Sequence, residues 1–152
     1  MRQFTLPLRE EFQRPVIYLS ELNLDAMLDT GSIFPVWCTK ETILQELGGE
    51  KIDDAVPFGG FGGMTTGKLY SLPVFQLGNL VYPHIKIIAC EYPSMTWPLI
   101  LPATMFNNLI YEINNKTHCL NITVPDDESP IRNLTIKEEN GRLHVFCSSA
   151  KQ

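Results

Sequence analysis

An Asp-Thr-Gly-Ser sequence at residues 29–32 interrupts an otherwise apolar part of the chain. Residues 24–28 are mostly apolar and lead directly into Asp29, and residues 33–37 are apolar again. A carboxylate at the end of a buried strand loses its hydration, which is costly unless the charge is paired or used in chemistry. Asp and Gly are also common in ordinary turns. The apolar residues on both sides favour a functional carboxylate over a simple turn.

The cysteines and histidines offer a second kind of chemistry. Residues 118–119 are His-Cys and residues 144–147 are His-Val-Phe-Cys, whereas zinc sites usually contain closer pairs such as Cys-x-x-Cys. We therefore expect buried cysteines and partly exposed histidines on strands, with no metal site. An intracellular enzyme with a cysteine nucleophile is a weaker alternative, because no local sequence marks a cysteine as activated.

Length and charge narrow the class of protein. The chain has 152 residues and a formal net charge of -5. This length predicts a single domain over residues 1–152, and the acidic balance does not favour nucleic acid as a partner. Glu10 and Glu11 stand where a signal peptide needs an apolar core, and no window is long and apolar enough to cross a bilayer. We expect a cytoplasmic protein with reduced cysteines and no membrane partner.

The elements that position these residues are mostly short strands. Alternating or continuous apolar runs between Gly, Pro and Asn residues predict strands at 15–20, 22–28, 68–78 and 79–90, of which the last two are joined at Gly78-Asn79. They also predict hairpins within 112–124 and 131–148. The last hairpin turns at Asn140-Gly141, a favoured type I′ pair. A closed or sandwich-like barrel would bury these strands.

Two short helices complete the predicted structure. Residues 39–49 predict a helix capped by Thr39 and ended by Gly48 in a left-handed conformation. Its apolar stripe is Ile43, Leu44 and Leu47. Pro102 is predicted in the first turn of a second helix that runs through Met105 and Phe106.

At residues 22–37 the sequence resembles the retropepsin-like aspartic proteases. In that family an apolar strand leads into Asp-Thr-Gly-Ser or Asp-Thr-Gly-Ala and is followed by more apolar residues, and LDAMLDTGSIF matches this pattern closely. The glycine-rich residues 57–78 resemble the family's flap region. Residues 99–111 resemble the apolar segment before its short helix, with Pro102 where the family usually has Gly. The resemblance covers roughly residues 15–115, with the loose boundaries of any sequence assignment.

The resemblance implies an all-β fold: a retropepsin-like closed β-barrel with a glycine-rich flap and one or two short helices. It implies that Asp29 is catalytic and that Thr30, Gly31 and Ser32 form the active-site scaffold. Thr30 would bond to a matching loop, and Ser32 would bond to the outer oxygen of Asp29. The flap that closes over substrate would contain Gly59, Gly60, Phe61, Gly62, Gly63 and Met64.

The chain contains one Asp-Thr-Gly, which implies a symmetric homodimer in which Asp29 of each subunit meets on the two-fold axis. Two carboxyls at short range share one proton, so one acts as base towards water and the other as acid. The expected activity is that of an aspartic endopeptidase on a polypeptide substrate, with no metal or organic cofactor. The alternative is a catalytically silent module of this fold that dimerises or binds peptides. Asp25 is either a second acid or, as we favour, an exposed strand carboxylate.

Overall fold

The computed structural model describes residues 1–60, 63–91 and 97–150. Strands dominate these residues: β1 (Arg2–Pro7), β2 (Val16–Leu19), β3 (Leu24–Asp29), β4 (Val36–Trp37), β5 (Glu50–Gly60), β6 (Gly63–Leu77), β7 (Leu80–Ala89), β8 (Leu99–Pro102), β9 (Ile110–Asn114), β10 (Cys119–Val124), β11 (Arg132–Glu139) and β12 (Arg142–Ser149). The helical elements are α1 (Glu41–Glu46) and the 3-10 turns Glu10–Phe12 and Ala103–Phe106. The predicted all-β class is confirmed.

Seven strands form the central sheet in the order β2-β3-β8-β4-β7-β6-β5. The pairings β3–β8 and β4–β7 are parallel, and the other pairings in this sheet are antiparallel. Parallel strands are usually covered on both faces, and the residues of β8 are all buried here. The sheet therefore brings the end of β3, where Asp29 lies, beside the end of a fully buried strand.

One hydrophobic core fills the space between the sheets and α1. Its largest fully buried apolar or aromatic side chains are Trp37, Tyr70, Tyr82, Leu44, Leu72, Leu77, Leu80, Ile85, Ile87, Ile88 and Leu99. Most of them come from β6 and β7, where buried and outward residues alternate over part of each strand. The long hairpin of β6 and β7 is thus the main support of the sheet.

The N-terminal strand pairs within its own chain. β1 lies antiparallel to β10, and β10 pairs in turn with β9 to give a three-stranded sheet. Gly78, in the turn between β6 and β7, has a φ of +59°, and a Cβ there would overlap the ring of Phe4 in β1. The turn therefore needs glycine both for its backbone and for the packing of β1.

The predicted hairpins are present. Gly78-Asn79 joins β6 to β7, and Asn140 and Gly141 join β11 to β12 with φ values of 53° and 75°, as a type I′ turn requires. The hairpin of β9 and β10 is also confirmed, with its turn at residues 115–118. Local turn chemistry accounts for all three.

Two helix boundaries differ from the prediction. α1 begins after Lys40 rather than Thr39, and its first amide, that of Glu41, donates to Oε1 of Glu91 at 2.9 Å. A distant carboxylate therefore does what the Thr39 hydroxyl was expected to do. Pro102 ends β8 and precedes the 3-10 turn instead of lying inside it. Gly48 has the predicted left-handed conformation, with a φ of 92°.

No helix among the described residues is long and apolar enough to span a membrane.

Candidate active site

Asp29 is the last residue of β3. Ala26 and Leu28 of this strand are buried in the core, and Asp29 itself is partly exposed. In the parallel pairing of β3 with β8, Asp29 lies opposite Pro102. The strand therefore carries a carboxylate from the core to the surface.

A tight turn follows Asp29 and faces its carboxylate. The amide of Gly31 donates to Oδ1 of Asp29 at 2.9 Å, and the amide of Ser32 donates to the Asp29 carbonyl oxygen at 3.1 Å. A Cβ on Gly31 would lie 3.3 Å from Oδ1, which is tighter than most real contacts of a Cβ. Glycine thus lets the backbone approach the carboxylate closely and hydrogen-bond to one of its oxygens.

Thr30 and Ser32 complete the turn. Thr30 is exposed. The hydroxyl of Ser32 donates to the carbonyl oxygen of Phe34 at 2.9 Å, so the expected bond from Ser32 to the Asp29 carboxylate is wrong for this structure. Serine hydroxyls commonly bond to nearby backbone carbonyls in turns, and here the local acceptor is used.

The 3-10 turn after β8 supports the Asp29 loop. Pro102 is buried with φ and ψ of −85° and 157°, an extended conformation that a proline ring tolerates. Two residues later, Oγ1 of Thr104 donates to the carbonyl oxygen of Ile33 at 2.8 Å. This hydrogen bond ties the turn to the end of the loop that leads into β4 and restrains the position of Ile33.

The glycine-rich region forms the end of a long antiparallel hairpin. Phe58 pairs with Thr65, Gly59 with Met64 and Gly60 with Gly63. The φ of Gly63 is 112°, a backbone conformation that residues other than glycine rarely adopt. Phe61 and Gly62, the remaining predicted flap residues, lie outside the described residues.

Several apolar side chains near these elements are exposed. Ile33 follows the Asp29 turn and is 57% exposed, and Met64 lies on the glycine-rich hairpin and is 72% exposed. Ile52, on β5 of the same hairpin, is also exposed. These side chains are therefore available for apolar contacts at the surface.

Asp25 lies on β3 and pairs with Arg9. Nη1 of Arg9 lies 2.8 Å from Oδ1 of Asp25, and the same guanidinium also pairs with Glu11. Hydrogen bonds to Asp25 and then to Glu11 raise the pKa of Arg9. The Asp25 side chain is 23% exposed, so the prediction of an exposed carboxylate is wrong, and its pairing with Arg9 in the N-terminal segment indicates a structural role.

The cysteines and histidines do not assemble into a cluster. Within residues 1–60, 63–91 and 97–150, no group of three His, Cys, Asp or Glu side chains is placed to hold a metal ion. All four cysteines are free. Burial, and to a lesser extent Cys90, raises the pKa of Cys38 to about 12, so this thiol is a poor nucleophile at neutral pH.

Sequence reasoning missed two residues that contact this region. Thr104 bonds to the Asp29 loop, and Arg132 is fully buried behind the 3-10 turn. Arg132 alternates with Leu134 and Ile136 on the inward face of β11, so a charged residue at an inward position was the available signal. The sequence carries no comparable signal for Thr104.

The chain resembles a known protein in its structure rather than in its sequence. No family model matches the sequence, and no curated protein matches it. Among solved structures, the chain resembles a retropepsin-like aspartic protease from Rickettsia conorii with a TM-score of 0.54. The fold is retropepsin-like. The two sequences are 15% identical, and the similarity covers 80% of this chain and 89% of the Rickettsia chain. At this identity the likeness establishes the fold alone.

Proposed function

We propose that the protein is an aspartic endopeptidase in which Asp29 is the catalytic residue. The observation that carries the proposal is the Asp29 turn. A carboxylate at the end of a buried strand accepts a hydrogen bond from the Gly31 amide, with 2.9 Å between Oδ1 of Asp29 and the Gly31 nitrogen. This turn lies in a retropepsin-like fold. An Asp-Thr-Gly-Ser turn in that fold favours a role in peptide hydrolysis over a merely structural role.

The proposed reaction needs two carboxyl groups, one from each subunit of a homodimer. Two Asp29 side chains at short range share one proton, because like charges resist ionising together. The ionised carboxylate removes a proton from water, which attacks the peptide carbonyl. The protonated carboxyl gives its proton to the carbonyl oxygen of the substrate, which becomes a gem-diol. The proton taken from water then passes to the leaving nitrogen, the C–N bond breaks, and one hydroxyl of the gem-diol returns its proton to the other carboxylate, so that the pair again holds one proton. The Gly31 amide holds one Asp29 in position during these steps.

The substrate would be an extended polypeptide that lies between the Asp29 turns and the flap of residues 59–64. An extended chain can pair with strand edges through backbone hydrogen bonds, while side-chain contacts set its preference. Closure of a flap would exclude water from the site. The exposed side chains of Ile33 and Met64 favour cleavage near apolar residues.

Peptide cleavage by the wild type and by Asp29→Asn tests this proposal. The substrate is a mixed peptide library, incubated from acid to neutral pH and read by mass spectrometry. Both proteins are first checked for folding by circular dichroism and for association by sedimentation. Cuts by the wild type that vanish with Asp29→Asn are expected. A folded wild-type dimer that makes no cut at any pH would contradict the proposal, and peptide binding without cleavage would favour the silent module.

A further inference from the structure

The first residues of the 3-10 turn Ala103–Phe106 contact the Asp29 loop. Pro102, directly before the turn, is the ladder partner of Asp29. Thr104 donates its hydroxyl to the Ile33 carbonyl oxygen at 2.8 Å. Pro102 and the turn together therefore contact both sides of the loop, at Asp29 and at Ile33.

The end of the same turn, and Asn107 directly after it, bind to the hairpin of β11 and β12. Nδ2 of Asn107 donates to the carbonyl oxygen of Cys147 at 2.9 Å, and Sγ of Cys147 donates to the carbonyl oxygen of Met105 at 3.6 Å. Nη2 of Arg132 donates to the carbonyl oxygen of Asn107. The C-terminal hairpin thus binds the last residues of the turn through both side chains and backbone.

Arg132 is the centre of this attachment. Its side chain is fully buried, Nη1 donates to Oγ of Ser149 at 3.2 Å, and Nη1 lies 3.6 Å from Oε2 of Glu128. Its Nε has no hydrogen-bond partner among the described residues. One guanidinium therefore joins β12, the segment before β11 and the residue that follows the turn.

A buried charge is a costly way to fill this space. Desolvation of a guanidinium can exceed the attraction of its ion pair, and an apolar side chain of similar volume is often as stable or more stable. An arginine fork differs from an apolar side chain because it fixes the directions of its acceptors. At Arg132 the fixed acceptors are the Asn107 carbonyl and the Ser149 hydroxyl, so the gain is in orientation.

We propose that Arg132 is a positioning residue for the Asp29 loop, acting through Asn107, the 3-10 turn and Thr104. The C-terminal hairpin then contributes to the site through the position of the Asp29 loop. The catalytic side of this inference rests on the proposed function. Its structural side does not, because the position of the loop can be measured without any turnover.

Amide exchange by NMR tests the structural side. The reporters are the amides of Gly31 and Ser32, which hydrogen-bond to Asp29. Arg132→Met keeps an unbranched side chain without the fork, and Arg142→Met makes the same change at an exposed site of the same hairpin. We expect the reporter amides to exchange roughly tenfold faster in Arg132→Met than in the wild type, because loss of the guanidinium fork makes local opening of the loop more frequent. In Arg142→Met their exchange rates should equal those of the wild type.

A second pair of variants tests the hydrogen bond from Thr104 to the Ile33 carbonyl oxygen by itself. Thr104→Val deletes the hydroxyl, whereas Thr104→Ser keeps it. Thr104→Val should speed reporter exchange and Thr104→Ser should not, even if Arg132→Met fails to fold. Unchanged exchange of Gly31 and Ser32 in a folded Arg132→Met, or in Thr104→Val, would overturn the inference.

Cleavage assays test the catalytic side. In folded Arg132→Met we expect kcat to fall roughly 10- to 100-fold with KM nearly unchanged, because small misplacement of a catalytic group mainly slows chemistry. A fall in thermal stability alone, with wild-type kcat and reporter exchange, would show a merely structural role and overturn the proposal. If the wild type never cuts peptides, faster reporter exchange in Arg132→Met still supports the positioning of the loop, and only the proposed function fails.

Discussion

Gly67 gives the sharpest prediction about the glycine-rich hairpin. It lies on β6 opposite Val56 and is buried. A Cβ at this position would lie 2.6 Å from Cγ2 of Ile88 and 2.8 Å from Cε1 of Phe58. It would also lie 3.2 Å from the carbonyl oxygen of Ala89. Gly67→Ala must therefore push apart the packing between β6 and its two neighbouring strands.

The expected size of the effect follows from two opposing contributions. Overpacking by a methyl group costs about 1–3 kcal/mol. Gly→Ala also restricts the unfolded chain, which returns about 0.4–1 kcal/mol where the backbone conformation suits alanine. The net loss in free energy of unfolding is roughly 1–2 kcal/mol. For a chain of this length that loss lowers the Tm by roughly 2–8 °C.

Gly59→Ala is the matched control on the same hairpin. A Cβ on Gly59 would meet only Sδ of Met64 within 4 Å, at 3.8 Å, which is ordinary contact. Gly59→Ala should therefore be neutral or slightly stabilising. Thermal and urea unfolding of both variants, at one protein concentration, gives the comparison. A Gly67→Ala protein as stable as Gly59→Ala would refute the reasoning from packing.

Three further predictions concern charges and thiols. Asp25→Asn, which weakens a partly exposed pair with Arg9, should cost less than about 1 kcal/mol in urea unfolding and keep peptide cleavage, and loss of cleavage would restore Asp25 as a second acid. Hydrogen bonds from Lys68 and then from Tyr70 lower the pKa of Glu41 below 4.5. This stabilisation is complete above pH 4.5 and is lost as the pH falls through the folded-state value, so Lys68→Met should flatten the Tm against pH between 4.5 and the onset of acid unfolding. Iodoacetamide at neutral pH should leave buried Cys38 unmodified in the folded protein, as read by mass spectrometry, and rapid labelling would contradict its raised pKa.

The sequence was sufficient where structure depends on neighbouring residues. Alternation of apolar residues predicted the strands of the β6–β7 and β11–β12 hairpins, and Asn140-Gly141 specified a turn that only a few residue types tolerate. The Asp29 turn belongs to the same class, because its hydrogen bonds join residues two or three positions apart. Local patterns therefore located the candidate site.

Contacts between distant residues were not predicted. The cap of α1 comes from Glu91, and the support of the Asp29 loop comes from Thr104, which lies 71 positions from Ile33. The Ser32 hydroxyl donates to the Phe34 carbonyl oxygen, and the sequence cannot rank this acceptor against the Asp29 carboxylate. Likewise, the inward position of Arg132 was readable from alternation, but its acceptor on Asn107 depends on the packing of two separate elements.

Mixing of subunits tests the central claim, that each site uses one Asp29 from each of two chains. Wild-type protein and Asp29→Asn are combined at constant total concentration, unfolded and refolded together, and assayed on a peptide that the wild type cuts. If both carboxyls are needed, activity follows the square of the wild-type fraction, and an equal mixture retains about one quarter of the wild-type activity. Activity proportional to the wild-type fraction, about one half in the equal mixture, would contradict a shared site.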